Sequence, residues 1–262
     1  IINEEEKAAS VVKSKSRVSS INIPRFIFVN SDSYTVTSIA DAAFIYSGIK
    51  LIHISENSEI RSIGNNAFFE SNIEYLELPS DVSDLKEDWN SGIFFLKQIK
   101  VIEKAEQNIK LINDDKILVG KSDNKSDTFD TLYLSVRDIG DVTIPSYIKH
   151  IAGSAFQNCQ IEKIKIEENS KLETIGNSAF SNMPVKYIEI PSSIVSLKKF
   201  WNSGMSDDIE FKIIKNGEEN IKFVDQIFLV GKSDRKSDVF DILYYVSFPD
   251  QELTIPSYIK RI

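Results

Sequence analysis

The side chains best suited to chemistry in this chain are its single cysteine and its two histidines. Cys159 follows His150 by nine residues, and a thiol close to an imidazole could act as a nucleophile with its base. A second copy of the same segment has Arg261 in place of His150, and an earlier copy has Ser47 in place of Cys159. A histidine that acts as a base could not be exchanged for arginine. The sequence therefore predicts a buried or half-buried thiol, and the chain is not expected to be an enzyme.

An acidic loop is the second candidate for chemistry. Asp123, Asp127 and Asp130 carry the carboxylates that calcium prefers, but the glycine and the terminal glutamate of an EF-hand loop are missing and lysines lie among them. We predict a polar hairpin loop here, and no metal or other cofactor. The overlapping sequon Asn124–Ser126 predicts N-glycosylation only if the chain is secreted.

The composition predicts a folded, soluble protein. The 262 residues are 42% hydrophobic, and 39 acidic against 31 basic residues give a net charge of −8. An acidic chain with interleaved charges argues against a nucleic-acid partner. No apolar run approaches the roughly 18–20 residues that a membrane span needs, so no membrane insertion is expected. A lone cysteine excludes an intrachain disulfide and does not identify a redox compartment.

A long segment of the sequence occurs almost twice. Three matching pairs have an offset of 112 residues: Ile39–Phe44 with Ile151–Phe156, Ile63–Phe68 with Ile175–Phe180, and Trp89–Gly92 with Trp201–Gly204. Two later pairs have an offset of 111: Leu118–Asp123 with Leu229–Asp234, and Ile144–Lys149 with Ile255–Lys260. The two copies therefore predict two structurally equivalent blocks.

Each block contains a shorter repeat of 22 or 24 residues. A turn with apolar residues at helical spacing and an Ala-Phe pair precedes a strand, and a degenerate third unit has Trp89 or Trp201 in the turn. The strands share a Leu-x-x-Leu-x-Leu pattern: 49–54, 73–78, 161–166 and 185–190. One such unit cannot close a core alone, and this period is typical of leucine-rich repeats. We expect Phe44, Phe68, Phe156 and Phe180 to stack beneath ladders of Ile, Leu and Val.

The domain organisation follows from these repeats and from the β-rich runs between them. We predict a single domain, 1–262, in five parts: a cap or the tail of a preceding unit (1–20), a first repeat block (21–108), a β-hairpin excursion (109–142), a second repeat block (143–220), and a second hairpin with the start of a truncated unit (221–262). The first block also carries a nine-residue insertion within 25–38. The chain begins with Ile1 and stops where another Ala-Phe turn should begin, so we expect a fragment of a longer array.

Residues 144–166 contain the order Ile-Pro-Ser-x-Ile, Ala-Phe, Cys and Ile-x-x-Ile-x-Ile, which resembles the BspA-type leucine-rich repeat. The resemblance covers roughly residues 21–262. It implies a repeat solenoid of the leucine-rich-repeat class, dominated by β-strands, with short helical or 3-10 turns and β-hairpin excursions. Members are typically surface or secreted proteins of bacteria and of protozoan parasites such as trichomonads. They are linked to adhesion, and the family implies no catalytic residues.

The strand face is the remaining candidate for a site. Residues between the apolar positions point outward and form columns when the strands stack. Exposed tyrosines beside mixed charges are favoured at binding surfaces, whereas the simpler alternative is a solvated face with Glu–Lys pairs. The predicted partner-binding residues are Tyr75, Glu77, Lys163, Lys165, Tyr187 and Glu189.

These observations predict a non-enzymatic protein-interaction module. The first hypothesis is an adhesin-like protein, at the cell surface or secreted, whose concave strand face binds a protein or glycan on a host or microbial surface. The alternative is an intracellular leucine-rich-repeat scaffold in the cytoplasm. The two hypotheses differ in where the protein resides, and the sequence alone leaves both open.

Overall fold

The computed structural model describes residues 1–13, 18–123, 125–205, 208–247 and 253–262. These residues form 23 β-strands and no helix. The predicted glycosylation site at Asn124 lies outside the described residues.

The strands of the first half precede the hairpin excursion. They are β1 (Ile2–Asn3), β2 (Ala8–Val11), β3 (Ser20–Ile23), β4 (Phe26–Val29), β5 (Asp32–Ile39), β6 (Leu51–Ile54), β7 (Ser62–Ile63), β8 (Tyr75–Pro79), β9 (Asp84–Leu85) and β10 (Gln98–Ile102). The excursion contributes β11 (Ile109–Ile112), β12 (Ile117–Gly120) and β13 (Thr131–Ser135). The second half contains β14 (Val142–Ile144), β15 (His150–Ile151), β16 (Lys163–Ile166), β17 (Thr174–Ile175), β18 (Tyr187–Pro191), β19 (Ser196–Leu197), β20 (Glu210–Ile214), β21 (Ile221–Val224), β22 (Phe228–Gly231) and β23 (Ile242–Val246).

Successive repeats pair in parallel along two ladders in each block. The longer strands form the sheets β3-β6-β8-β10 and β14-β16-β18-β20, which carry the Leu-x-x-Leu-x-Leu pattern. The shorter strands form the ladders β2-β5-β7-β9 and β13-β15-β17-β19. Each repeat contributes one strand to each ladder, so its apolar positions face the space between the ladders.

The Ala-Phe turns form a third ladder instead of the short helical turns that the sequence predicts. The amides of Ala42, Phe44 and Tyr46 donate to carbonyls of the next repeat at 3.0, 2.7 and 2.9 Å. Ala42 and Tyr46 have positive φ values of 52° and 53°, so the backbone is left-handed at these two residues and cannot form a regular right-handed helix there. A helix would direct these amides to its own carbonyls four residues earlier. Stacking on the next repeat outweighs that local preference, and the described residues contain turns where helices were expected.

The predicted aromatic stack is confirmed in both blocks. The rings of Phe44 and Phe68 stack with centroids 5.7 Å apart, and those of Phe156 and Phe180 repeat this distance. A tryptophan then closes each stack with an edge-on contact, at 6.1 Å in the first block and 6.3 Å in the second. All four phenylalanines are fully buried.

Hairpins interrupt the repeats at corresponding places. β11, β12 and β13 form an antiparallel meander, and β13 then joins the parallel ladder by pairing with β15. β21, β22 and β23 form the same meander after the second block. The insertion in the first block forms the antiparallel hairpin β4–β5. At the N-terminus, β1 pairs antiparallel with β2, which pairs in parallel with β5.

Candidate partner-binding face

The predicted binding residues lie on the parallel sheets that carry the Leu-x-x-Leu-x-Leu pattern. Tyr75 is in β8, flanked in register by β6 and β10. Tyr187 has the same position in β18, between β16 and β20. Both tyrosines are half-buried, and the chain alternation directs them to the outer side of the sheet.

Each tyrosine is held by the glutamate two residues later. In the first block the Tyr75 hydroxyl donates to Oε1 of Glu77 at 2.7 Å. The other oxygen of Glu77 accepts the amide of Ile54 at 2.8 Å, and Lys100 Nζ donates to Oε1 at 3.3 Å. Glu77 is only 6% exposed. Its carboxylate is therefore satisfied inside the protein.

The second block repeats this network. The Tyr187 hydroxyl donates to Glu189 Oε1 at 2.7 Å, the amide of Ile166 donates to Oε2 at 3.0 Å, and Lys212 Nζ donates to Oε1 at 3.3 Å. Glu189 is 9% exposed. Two copies with the same four members, a Tyr, a Glu, an Ile amide and a Lys, indicate a structural unit, which we call the Tyr-x-Glu clasp.

The clasp closes a gap in the sheet. β6 and β8 pair at Leu51 and Ile52 and then separate, so the amide of Ile54 has no strand carbonyl to bond. The side chain of Glu77 supplies that acceptor, which avoids the cost of a buried, unpaired amide. Sequence reasoning missed this role, although the signal was present: a Tyr-x-Glu in both copies, each followed after 23 residues by a lysine.

The clasp also changes the acidity of its members. Burial raises the pKa of the Glu77 carboxyl, but the hydrogen bonds from Ile54, Tyr75 and Lys100 outweigh burial and leave it below its ordinary value. The pKa of Glu189 is lowered by the same balance. Burial, together with the hydrogen bond to Glu77, raises the pKa of Tyr75 to about 12. Both tyrosines therefore stay protonated and both glutamates stay ionised at neutral pH.

We expect the clasp to make stability depend on pH. Glu77 and Glu189 have a lower pKa in the folded protein, so their stabilising effect is present above the ordinary value of 4.5 and is lost as the pH falls through the folded value. Glu77→Gln with Glu189→Gln should cost about 1–3 kcal/mol of unfolding free energy per site at pH 7. The cost should shrink towards pH 3, as measured by urea denaturation.

The exposed carboxylate Glu168 offers a control for this series. Glu168→Gln should follow the wild-type profile at every pH. A difference between wild type and the double variant that stays constant from pH 7 to pH 3 would contradict the ionised clasp.

The predicted lysines lie beside the second clasp. Lys163 and Lys165 are exposed in β16, and Lys163 Nζ lies 5.7 Å from the centroid of the Tyr187 ring. Within the described ranges, no ion pair involves Lys165. In the first block His53 replaces Lys165, with its ring centroid 5.1 Å from that of Tyr75. The two faces thus share the clasped tyrosine and differ in the side chain beside it, a histidine in the first block and a lysine in the second.

The side chains of Cys159 and His150 contact different partners. Cys159 is 2% exposed and its Sγ lies 3.5 Å from the carbonyl of Val136. Burial raises the pKa of this thiol to about 12, which removes the thiolate that a nucleophile needs. His150 Nδ1 hydrogen-bonds the Thr174 hydroxyl at 2.9 Å. The sequence prediction of a buried thiol is confirmed.

The aspartates of the hairpin order their own loop. Asp130 is buried, accepts the amide of Ser122 at 3.0 Å, and pairs with Lys149 at 3.2 Å. Asp123 accepts the amide of Lys125 at 2.9 Å. In the part of the chain that the structure describes, no group of three or more His, Cys, Asp or Glu residues is placed to hold a metal ion.

The repeat geometry agrees with a comparison to known families. The BspA type leucine-rich repeat region matches residues 14–115 and 130–224, in six copies. The chain belongs to the BspA-type leucine-rich-repeat family. This family membership confirms the predicted fold class and makes the chain a repeat module for protein interaction. BspA-type proteins are typically surface-associated and non-enzymatic.

A solved bacterial leucine-rich repeat protein has a similar fold. A leucine-rich repeat protein from Eubacterium ventriosum superposes with a TM-score of 0.52 at 18% identity, over 75% of this chain and 54% of its own. This chain thus spans about half the length of that protein. Lower TM-scores, 0.37 and 0.40, relate it to a leucine rich cell surface protein from Faecalibacterium prausnitzii (14% identity, 79% and 92% coverage) and to the pneumococcal vaccine antigen PcpA (17% identity, 81% and 82% coverage). A comparison with curated proteins gave no match. No helix among the described residues is long and apolar enough to cross a membrane.

Proposed function

We propose that this BspA-type chain is an adhesin-like module, at the cell surface or secreted, that binds a protein or glycan through its strand face. The observation that carries the proposal is the duplicated clasp. It holds Tyr75 and Tyr187 at the same register in both blocks by hydrogen bonds of 2.7 Å.

A clasped tyrosine is well suited to recognition. Tyrosine presents a large ring with few rotatable bonds, and it is enriched among the residues that dominate binding energy. The hydrogen bond to the glutamate removes part of the remaining freedom, so less entropy is lost when a partner is bound. In this proposal Glu77 and Glu189 support the tyrosines from within and do not contact the partner, because they are buried.

Lys163 and Lys165 would give the second face a preference for acidic partners. Both are exposed, and the amine of Lys163 lies over the Tyr187 ring. A carboxylate or sulfate group of the partner could contact these amines while an apolar part packs on the ring. Such charges influence the rate and the specificity of association more than its final strength.

The binding proposal predicts a loss of attachment when the tyrosines are removed. Tyr75→Ala with Tyr187→Ala should weaken binding to host-cell surfaces and immobilised matrix proteins at least tenfold. Lys163→Glu with Lys165→Glu should weaken it chiefly at low salt. Surface plasmon resonance on purified protein measures both effects.

A matched control lies on the turn side of the same block. Lys198→Glu with Lys199→Glu reverses two exposed charges away from the strand face and should leave binding unchanged. Binding that survives the tyrosine double variant would refute the face assignment. Antibody staining of intact cells tests the location: staining that requires permeabilisation would favour the intracellular scaffold instead.

A further inference from the structure

The strand sheet of the first block ends in an open edge beside a groove. β10 is the last strand of its sheet, and no strand in the described ranges pairs with its other side. Between β10 and the hairpin β11–β12 lies a groove of about 680 Å³. Its floor includes Ile99, Val101, Leu111 and Val136. No clasped tyrosine lines this groove, but Lys100 of the first clasp does.

The backbone of β10 offers hydrogen-bonding groups to this groove. The amide of Gln98 donates to the carbonyl of Glu74, and the carbonyl of Ile102 accepts from the amide of Ser80. In a parallel pair alternate residues bond to one neighbour, so Gln98, Lys100 and Ile102 bond to β8. Ile99 and Val101 consequently direct their amides and carbonyls towards the groove. An unpaired edge of this kind is a template for an added strand.

The second block shows what fills the equivalent space. Ile99, Leu111 and Leu134 correspond by register to Phe211, Phe223 and Tyr245. There the centroid of the Phe211 ring lies 5.9 Å from the centroid of the Phe223 ring and 4.7 Å from that of the Tyr245 ring. The groove beside β20 is accordingly about 320 Å³, less than half as large. The first block lacks these rings, so its groove has room for an aromatic side chain from elsewhere.

The rim of the first groove carries charges of both signs. Four lysines and three carboxylates line it, and two of the lysines, Lys97 and Lys100, pair with Glu74 and Glu77 at 2.7 and 3.3 Å. Lys100 points outward from β10, on the face where a neighbouring strand would place its alternate side chains. Lys100 donates to Glu77 in the first clasp, and its ammonium group has three N–H donors, so it can also contact an outward acidic side chain of an added strand.

We propose that the open edge of β10 binds an extended peptide segment of a partner protein as an added β-strand. The segment would pair its backbone with Ile99 and Val101. It would place an aromatic side chain on the floor formed by Ile99, Leu111 and Val136, in the space that the second block fills with its own rings. Its outward side chains would be acidic, next to Lys100. This site differs from the proposed strand-face site because it uses a sheet edge and no clasped tyrosine, although the two sites share Lys100 of the first clasp.

The test uses a designed probe, the fluorescein-labelled heptapeptide Glu-Val-Glu-Phe-Glu-Val-Glu with an amidated C-terminus. Its alternation puts Val, Phe and Val on one side of a strand and glutamates on the other. We expect saturable binding to the whole chain by fluorescence anisotropy. The amides of Ile99 and Val101 should gain protection from hydrogen exchange in the complex.

Two controls distinguish pairing with the strand edge from non-specific binding. Ile99→Phe with Leu111→Phe installs the second block's residues, should fill the groove, and should weaken binding at least tenfold. The second control is the same peptide, N-methylated at the amides that would pair with β10. It keeps every side chain but cannot donate these backbone hydrogen bonds, so it should also bind at least tenfold more weakly. This control needs no protein variant.

Three results would overturn the proposal. They are the absence of saturable binding, equal binding of the parent and N-methylated peptides, and dimerisation of the chain that the filled variant abolishes. The last result would assign the edge to a second copy. The tyrosine double variant should bind the heptapeptide normally, so failure of the edge site and failure of the strand-face site are distinguishable.

Discussion

Replacing Phe156 by alanine is expected to lower the free energy of unfolding by about 3–5 kcal/mol, the usual cost of truncating a buried phenylalanine. The ring is 0% exposed and stacks on Phe180 with centroids 5.7 Å apart. Its backbone amide donates to the carbonyl of Ala179 at 2.9 Å, and the amides of Ser154 and Asn158 on either side donate to Asn177 and Ser181 of the same repeat at 2.9 and 3.0 Å. These bonds limit collapse of the turn into the space left by the ring.

Urea denaturation followed by circular dichroism measures this loss. Phe200→Ala is the matched control in the same chain, because Phe200 is 60% exposed and should change stability by less than about 0.5 kcal/mol. Equal midpoints for wild type and Phe156→Ala would refute the stacked-aromatic core and the repeat register with it.

Gly176→Ala is expected to lower the free energy of unfolding by about 1–3 kcal/mol through overpacking. A Cβ atom at Gly176 would lie 2.4 Å from the amide nitrogen of Gly153 and 2.7 Å from the carbonyl carbon of Ala152. Both are backbone atoms of the neighbouring repeat, so the clash cannot be relieved by moving a side chain. Gly64 makes the same close approach to the backbone of Asp41 in the first block.

Gly48→Ala supplies the comparison for this prediction. Gly48 is exposed and a Cβ atom there would meet nothing within 4 Å. The free energy of unfolding of this variant should therefore differ from that of the wild type by less than about 0.5 kcal/mol. Thermal unfolding of both variants measures the contrast. Equal melting temperatures would mean that neighbouring repeats are not packed as closely at Gly176 as the structure has them.

Part of the arrangement of the proposed binding face was predictable from the sequence, and part was not. The alternation in Leu-x-x-Leu-x-Leu correctly placed Tyr75, Tyr187, Lys163 and Lys165 on the outer side of the sheets. It placed Glu77 there too. The alternation of residues along a strand cannot distinguish an exposed carboxylate from one that turns back and accepts a hydrogen bond from the amide of a neighbouring strand. That distinction depends on where two strands separate, which is a property of the assembled sheet.

The expected helical turns show the same limit. Their Ile, Ala and Phe residues have helical spacing, and the local sequence contains nothing that excludes a helix. The amide of Phe44 nevertheless bonds to the carbonyl of Ala67, which lies 23 residues away. A bond of this kind exists only after the next repeat has stacked, so local propensity could not anticipate it.

The sequence by itself determined the repeat period, the strand register, the four stacked phenylalanines and the burial of Cys159. These follow from which residues recur between two copies and which vary, since only residues that fill the shared core must recur. The tertiary structure decided the Tyr-x-Glu clasps, the third ladder of turns, and the groove beside β10. Each depends on contacts between atoms of different repeats, or of a repeat and its hairpin. The distance between the backbones decides these contacts, and a pattern of residue types carries no information on that distance.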